Sequence, residues 1–313
     1  MTGILLELAQ VLLVAFLAPL FAGLLRALRA ILQNRRPAGC WQNYRDLYRL
    51  FHKESLQAEG TSWLFRFAPY GIFGAFCLAA AIIPILATGL PLAPAADVIA
   101  LVGLFALARV FQVLAAMDTG TPFATLGAHR EMLIAGLAEP ALLATLFTAS
   151  LLSRSTSLSV IVAHLEHLRF ALHPSMVFAA AAFFIVLLAE NARIPVDNPA
   201  THLELTMIHE AMLLEYSGRH LALMEWGAQI KLMLYVAIGI ALFLPWGIVP
   251  SAEVATLPMT LPVLLLKFAS AAVILALIET LLAKLRLFRA PEFMATAFLL
   301  GVIGLLTFFM LGA

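Results

Sequence analysis

Charge is scarce in this sequence. Only 12% of its 313 residues are Asp, Glu, Lys or Arg, while 63% are hydrophobic, well above the roughly 45–50% apolar share of a soluble domain. At a mean hydropathy of +0.99, a water-soluble core cannot absorb so much apolar surface. Acids and bases nearly cancel, leaving a net charge of +1. The bases form short clusters rather than one stripe, which excludes nucleic acid as a partner. Cysteine is nearly absent: Cys40 and Cys77 lie far apart without CxxC spacing, so they supply neither a disulfide framework nor the four thiolates of an iron–sulfur cluster. Any electron-carrying cofactor is therefore expected on another chain. No internal repeat and no Gly- or Ser-rich linker divides residues 1–313, which read as a single membrane domain.

What is plentiful is apolar runs of bilayer-spanning length, near 20 residues. About eight occur, over 4–32, 68–88, 97–117, 131–152, 172–190, 227–249, 260–286 and 290–312. The expected fold is all-α: a polytopic membrane protein of about eight transmembrane helices with polar excursions on one side. The first run is no signal peptide, because no basic stretch precedes it, it is too long, and Arg26, Arg29, Arg35 and Arg36 fall at its end.

Lys and Arg near span ends are retained in the cytoplasm, and here they crowd the odd-to-even connections. These hold Arg35, Arg36, Arg45, Arg49, Lys53, Arg66, Arg130, Arg193, Arg219, Lys284, Arg286 and Arg289, against Arg154 and Arg169 on the other side. Both termini are thus expected outside, with the polar loops facing the cytoplasm.

Three polar stretches exceed the needs of a bare anchor. In residues 41–55, Trp41, Tyr44, Leu47, Tyr48 and Phe51 share one helical face, and Gln42, Asp46, Arg49 and Lys53 the other. This pattern predicts an amphipathic helix in the cytoplasmic interface, serving either lipid anchoring alone or partner docking. In residues 118–139, Gly120, Pro122 and Gly127 are expected to break the chain at the membrane edge, and Glu139 then falls about two turns inside the fourth run. A charge at that depth costs about 2.5–3.5 kcal/mol on insertion scales, so it faces protein or water. It is a candidate proton relay or a structurally paired carboxylate, with Arg109 of the third run as a candidate partner.

The third stretch, residues 190–226, is the richest. Asn198 and Pro199 suggest an N-cap and a first-turn proline, and Gly218 a stop, bounding a helix of about 19 residues. Six acids, Glu190, Asp197, Glu204, Glu210, Glu215 and Glu225, fall within 36 residues. Some form a solvated face, as charge runs usually do. Glu190 ends an apolar run and Arg193 stands near a proline, so both are stronger candidates. His202 and His209 point to packing or docking rather than to metal: His209–Glu210 begins like HExxH, but Leu213 occupies the second ligand position. In the seventh run, Lys267 and Glu279 are further ion-path candidates, although twelve residues apart and on different helix faces.

Asp46, Arg49, Leu50, Lys53 and Glu54 resemble a DxxKLxxKE segment. Leu126, Gly127, Ala128 and Arg130, followed by Glu139, resemble LGAxR and an intramembrane Glu. Glu190, Arg193, Pro195, Asp197, Pro199 and Glu204, then Glu215, Tyr216, Ser217 and Gly218, resemble ExxRxPxDxP and EYSG. These motifs, in this order, resemble those of subunit 1 of respiratory complex I and its relatives across essentially the whole chain. Ala200 and His202 stand where the quinone-reducing enzymes have carboxylates, and in those enzymes the distance from the aspartate to EYSG is three residues shorter. The wording is similar to the formate hydrogenlyase and hydrogenase 4 branch, the group 4 nickel–iron hydrogenases.

That resemblance implies a non-catalytic membrane subunit in a bacterial or archaeal cytoplasmic membrane. It would dock hydrogenase large and small subunits and iron–sulfur proteins on the cytoplasmic side and meet antiporter-like membrane subunits. Iron–sulfur clusters and a nickel–iron centre would sit on those partners, with no cofactor or metal on this chain. Glu139, Glu190, Asp197, Glu204, Glu215, Arg109, Lys267 and Glu279 are the ion-coupling candidates. The docking candidates are Asp46, Arg49, Lys53, Glu54, Arg130, Arg193, His202 and His209. A quinone-site subunit and a standalone proton or cation carrier are the alternatives.

Overall fold

The computed structural model describes residues 2–57, 60–167, 173–197, 208–248, 257–282 and 289–311. Among them the α-helices run α1 (Thr2–Leu32), α2 (Gln42–His52), α3 (Trp63–Ile82), α4 (Val98–Asp118), α5 (Pro122–Ser153), α6 (Leu158–His167), α7 (Pro174–Glu190), α8 (His209–Leu213), α9 (Gly218–Phe243), α10 (Leu257–Leu281) and α11 (Ala290–Leu311). Seven of these, α1, α3, α4, α5, α9, α10 and α11, are long and apolar enough to cross a membrane. The eighth expected span is α7, an apolar helix of 17 residues, about 25 Å long and at the short end of the spanning range. Large apolar side chains such as Leu12, Phe16, Leu266 and Met310 are turned outward, as lipid-facing surfaces require.

Helix starts follow local chemistry. Ser62 accepts from the Leu64 amide at α3, and Asp97 accepts from the Ile99 amide at α4. Pro122 stands in the first turn of α5 and Pro174 in that of α7, where a missing N–H costs nothing. The fourth span therefore begins at Pro122, nine residues before the expected 131. Gly120 makes the turn at φ +64°, but Gly127 does not break the helix. It lies inside α5, where an added Cβ would come within 2.9 Å of the Ile208 carbonyl oxygen. Its missing side chain lets α8 lie directly on α5.

Pro19 interrupts the α1 hydrogen-bond ladder, because it cannot donate to Ala15 four residues back. The freed carbonyl is not left bare: the Trp226 indole N–H of α9 donates to it at 2.8 Å. The Tyr44 hydroxyl donates to the Phe16 carbonyl, and the Asn43 amide donates to that of Pro19 at 2.9 Å. The amphipathic helix thus docks through its Asn43 and Leu47 edge, which is buried, while Trp41, Tyr48 and Phe51 stay exposed.

The expected 19-residue helix ending at Gly218 is not what residues 208–217 form, and Asn198, Pro199, His202 and Glu204 lie outside the described residues. Only α8 is helical there, and Gly218 opens α9 instead of closing a helix. The cause is a competing set of contacts. Ser217 is extended, accepts from the Leu56 amide at 2.7 Å and donates to the Leu56 carbonyl at 2.8 Å. Tyr216 stacks on Phe65, with ring centroids 4.1 Å apart, and donates to the Phe65 carbonyl at 3.1 Å. Gly218 adopts φ +52°, where an added Cβ would meet the carbonyl oxygens of Lys53 and Glu54 at 2.8 and 2.7 Å. A side chain is excluded by both conformation and space.

Candidate ion-coupling site

Four helices, α4, α5, α7 and α9, bring their charges to one place. Arg109 of α4 is 6% exposed and faces three carboxylates. It reaches Glu139 from Nη1 at 2.6 Å, Glu131 from Nε at 3.5 Å, and Glu190 from Nη2. Lys231 of α9 joins Glu190 at 3.0 Å. Arg109 lies nine residues from the end of α4 at Asp118, about 14 Å along the axis, so this group sits roughly half a bilayer core deep.

Three carboxylates facing two fixed cations cannot all be ionised without leaving one negative charge over. In a poorly hydrated setting that surplus is expensive. Its members differ in access. The Glu190 side chain is 2% exposed, whereas that of Glu139 is 37% exposed on the outer face of α5. Tyr235, fully buried, completes the wall one turn below Lys231, with its ring centroid 6.0 Å from Nζ.

A cavity of about 560 Å³ leads from Glu190 and Lys231 toward the polar end of the bundle, where Asp197, His209 and Arg193 line it. Asp197 caps α8: its Oδ2 accepts from the amides of Ile208 and His209, at 3.1 and 3.4 Å. His209 Nδ1 accepts from the Gln112 side-chain amide at 3.0 Å. Burial, with Lys231 and Arg193 nearby, lowers the His209 pKa to about 4. It is a neutral acceptor at physiological pH.

The structure therefore joins Arg109, Glu139 and Glu190. It sets Glu215 apart, half-buried beside the Tyr216 stack. Glu279, whose side chain is fully buried, pairs with Arg29 at 3.0 Å and Arg193 at 3.4 Å. Lys267 stands in the opposite half of α10, donating to the carbonyls of Leu244, at 2.6 Å, and Trp246 beyond the end of α9. Lys267 and Glu279 thus serve separate contacts and form no continuous pair. Asp46 accepts from Gln42 at 2.9 Å, and Arg49, Lys53 and Glu54 are exposed on the same flank. Arg130 is half-buried on α5.

Two members of the site escaped the sequence reading, Glu131 and Lys231. Glu131 lies two turns before Glu139 on the same face of α5. Lys231 is a cation inside an apolar span, a rarity that itself marks function in membranes.

Among the described residues, no three His, Cys, Asp or Glu side chains converge as a metal site. The profile of a family described as NADH dehydrogenase matches residues 6–310. Formate hydrogenlyase subunit 4 of Escherichia coli (strain K12) is 33% identical over 290 residues, covering 93% of this chain and 94% of that protein. Hydrogenase-4 component C of the same organism is 35% identical over 277 residues, covering 88% and 87%. A chain of the membrane-bound sulfane sulfur reductase, an archaeal respiratory membrane complex, has the same fold, with a TM-score of 0.82 at 20% identity over 98% of this chain and 99% of that one.

Proposed function

The chain belongs to the NADH dehydrogenase family, among the membrane subunits that resemble subunit 1 of complex I, and from that premise we propose that it anchors and ion-couples a group 4 nickel–iron hydrogenase or formate hydrogenlyase complex. The names of its two relatives support that assignment. Hydrogenase large and small subunits and iron–sulfur proteins dock at the polar end formed by α2, α8 and the loops beside them, and antiporter-like subunits flank the bundle. The iron–sulfur clusters and nickel–iron centre belong to those partners. With the bases retained in the cytoplasm, both termini lie on the outer side of a bacterial or archaeal cytoplasmic membrane.

One observation carries the coupling: a single guanidinium, Arg109, is shared among carboxylates from two helices. Glu190 ends α7 and lies seven residues before Asp197, which caps α8, so a push on this loop by the docked partner is felt at Glu190. A displacement of Glu190 weakens its hold on Arg109. The guanidinium then pairs more fully with Glu131 and Glu139 and releases a proton held between them. Asp197 stands at the loop end of this sequence of events, and Glu204 and Glu215 are further candidates along the same stretch of sequence.

The test is Glu139→Gln in the assembled complex. Electron transfer to a soluble acceptor should persist, while proton movement into vesicles falls at least about tenfold, as loss of a positioned acid–base group does. Unchanged proton movement would refute the coupling. A purified complex lacking nickel and iron would refute the choice of partner.

A further inference from the structure

We infer that the basic cavity at the polar end of the bundle binds the phosphate group of an acidic phospholipid. The inference needs only the membrane fold, so it stands or falls separately from the hydrogenase assignment.

Its wall is built from the end of α1 and the turn that follows. Arg26 and Arg29, three residues apart, share a helix face. Asn34 at φ +55° and the Arg35 amide bonded back to the Ala30 carbonyl fold Arg35 and Arg36 over the same space. Arg193 enters from the opposite wall. The carboxylates on and behind this wall, Glu190, Asp197, Glu210 and Glu279, are fewer than its bases. Glu190 holds Arg109 and Lys231, Asp197 caps α8, and the one charge of Glu279 is divided between Arg29 and Arg193. No carboxylate among the described residues lies within ion-pair distance of Arg26, Arg35 or Arg36. Burial disfavours the charge of Arg193, only partly offset by Glu279, and Arg29 and Arg26 add like-charge repulsion. So many guanidinium groups around about 560 Å³ form an unbalanced positive enclosure, and an anion relieves it.

The setting selects a lipid over a free anion. Basic pockets between helices at a membrane surface take phospholipid headgroups, and an acidic leaflet supplies them at high local concentration. Guanidinium groups match phosphate oxygens in pairs. Farther down α1, a second cavity of about 740 Å³ is walled by Leu12, Leu13, Phe16, Trp226, Leu261 and Leu265. It offers the acyl chains an apolar berth beside the same helix.

The test counts lipid on the intact complex by native mass spectrometry after transfer into nanodiscs of phosphatidylcholine, with or without phosphatidylglycerol. The wild type should keep a phosphatidylglycerol that phosphatidylcholine does not replace. The R26Q/R35Q/R36Q variant should bind it about a hundredfold more weakly, since each surface base contributes a comparable attraction. Those three side chains carry no ion pair among the described residues, so an unchanged thermal midpoint shows that the fold persists, and the corresponding lysine variant should recover most of the binding. Equal retention by wild type and glutamine variant overturns the proposal. So does stoichiometric binding of inorganic phosphate with no lipid, or an acidic partner segment that cross-links into the cavity and excludes lipid.

Discussion

The Arg109 group inside the bundle and the Ser217 latch at its polar edge both include residues that stand out in the sequence, yet they hold by opposite means. The first works through charge: one cation serves three carboxylates, and moving a proton changes which pairs form. The second works through fit: Tyr216, Ser217 and Gly218 meet backbone carbonyls and amides of residues 53–65 at contact distance. Charge can be redistributed without moving the chain, whereas fit cannot. On the proposed coupling, the first region is the adjustable one and the second is mechanically constant.

Substitutions can break that contrast, and the largest effect is expected at Arg109. Arg109→Ala strands buried carboxylates and should cost about 3–5 kcal/mol, seen as loss of assembled complex on a mild-detergent gel. Adding Glu190→Gln should recover part of that loss, since the two residues are coupled. In the latch, Gly218→Ala should cost about 1–3 kcal/mol through its left-handed backbone alone, with the Cβ clash added, and should expose the segment before α3 to protease. Removing a hydrogen-bond pair matters less: Ser217→Ala should lower stability by about 1–2 kcal/mol, without changing proton movement in vesicles. If Ser217→Ala uncouples the complex while leaving it assembled, the latch is more than mechanical.

The smallest effect at neutral pH is expected at His209. Its pKa is about 4 when folded, below the ordinary value of 6.5, so the unfolded chain takes up a proton that the folded chain refuses. The stabilisation is full above about pH 6.5 and is lost as pH falls toward 4. His209→Gln should leave the thermal midpoint nearly unchanged at pH 7.5 and flatten its decline at pH 5.5.

The spans were legible because hydropathy and length alone select them, and Arg109 with Glu139 because a charge inside an apolar run demands a partner. Other features were hidden for physical reasons. Gly127 looks like a helix breaker in sequence, since nothing local tells that α8 will lie against it. Gly218 fits a helix stop equally well as a start, and only the distant Leu56 and Phe65 decide between them. Asp197 is acidic for its capping of α8, a role that shows once the amides of Ile208 and His209 are in place. Lys267 meets carbonyls rather than carboxylates, and carbonyls have no sequence signature.

The break in the hydrogen-bond ladder at Pro19 also bears on how the protein is made. The carbonyl it frees at Ala15 is answered by Trp226, 211 residues later in the chain. Until α9 is in place that backbone oxygen lacks its partner, and hydrocarbon cannot supply one. In the meantime water or another polar group has to meet it. That hydrogen bond thus ties the first helix to a residue that is made only when nearly three quarters of the chain has been translated.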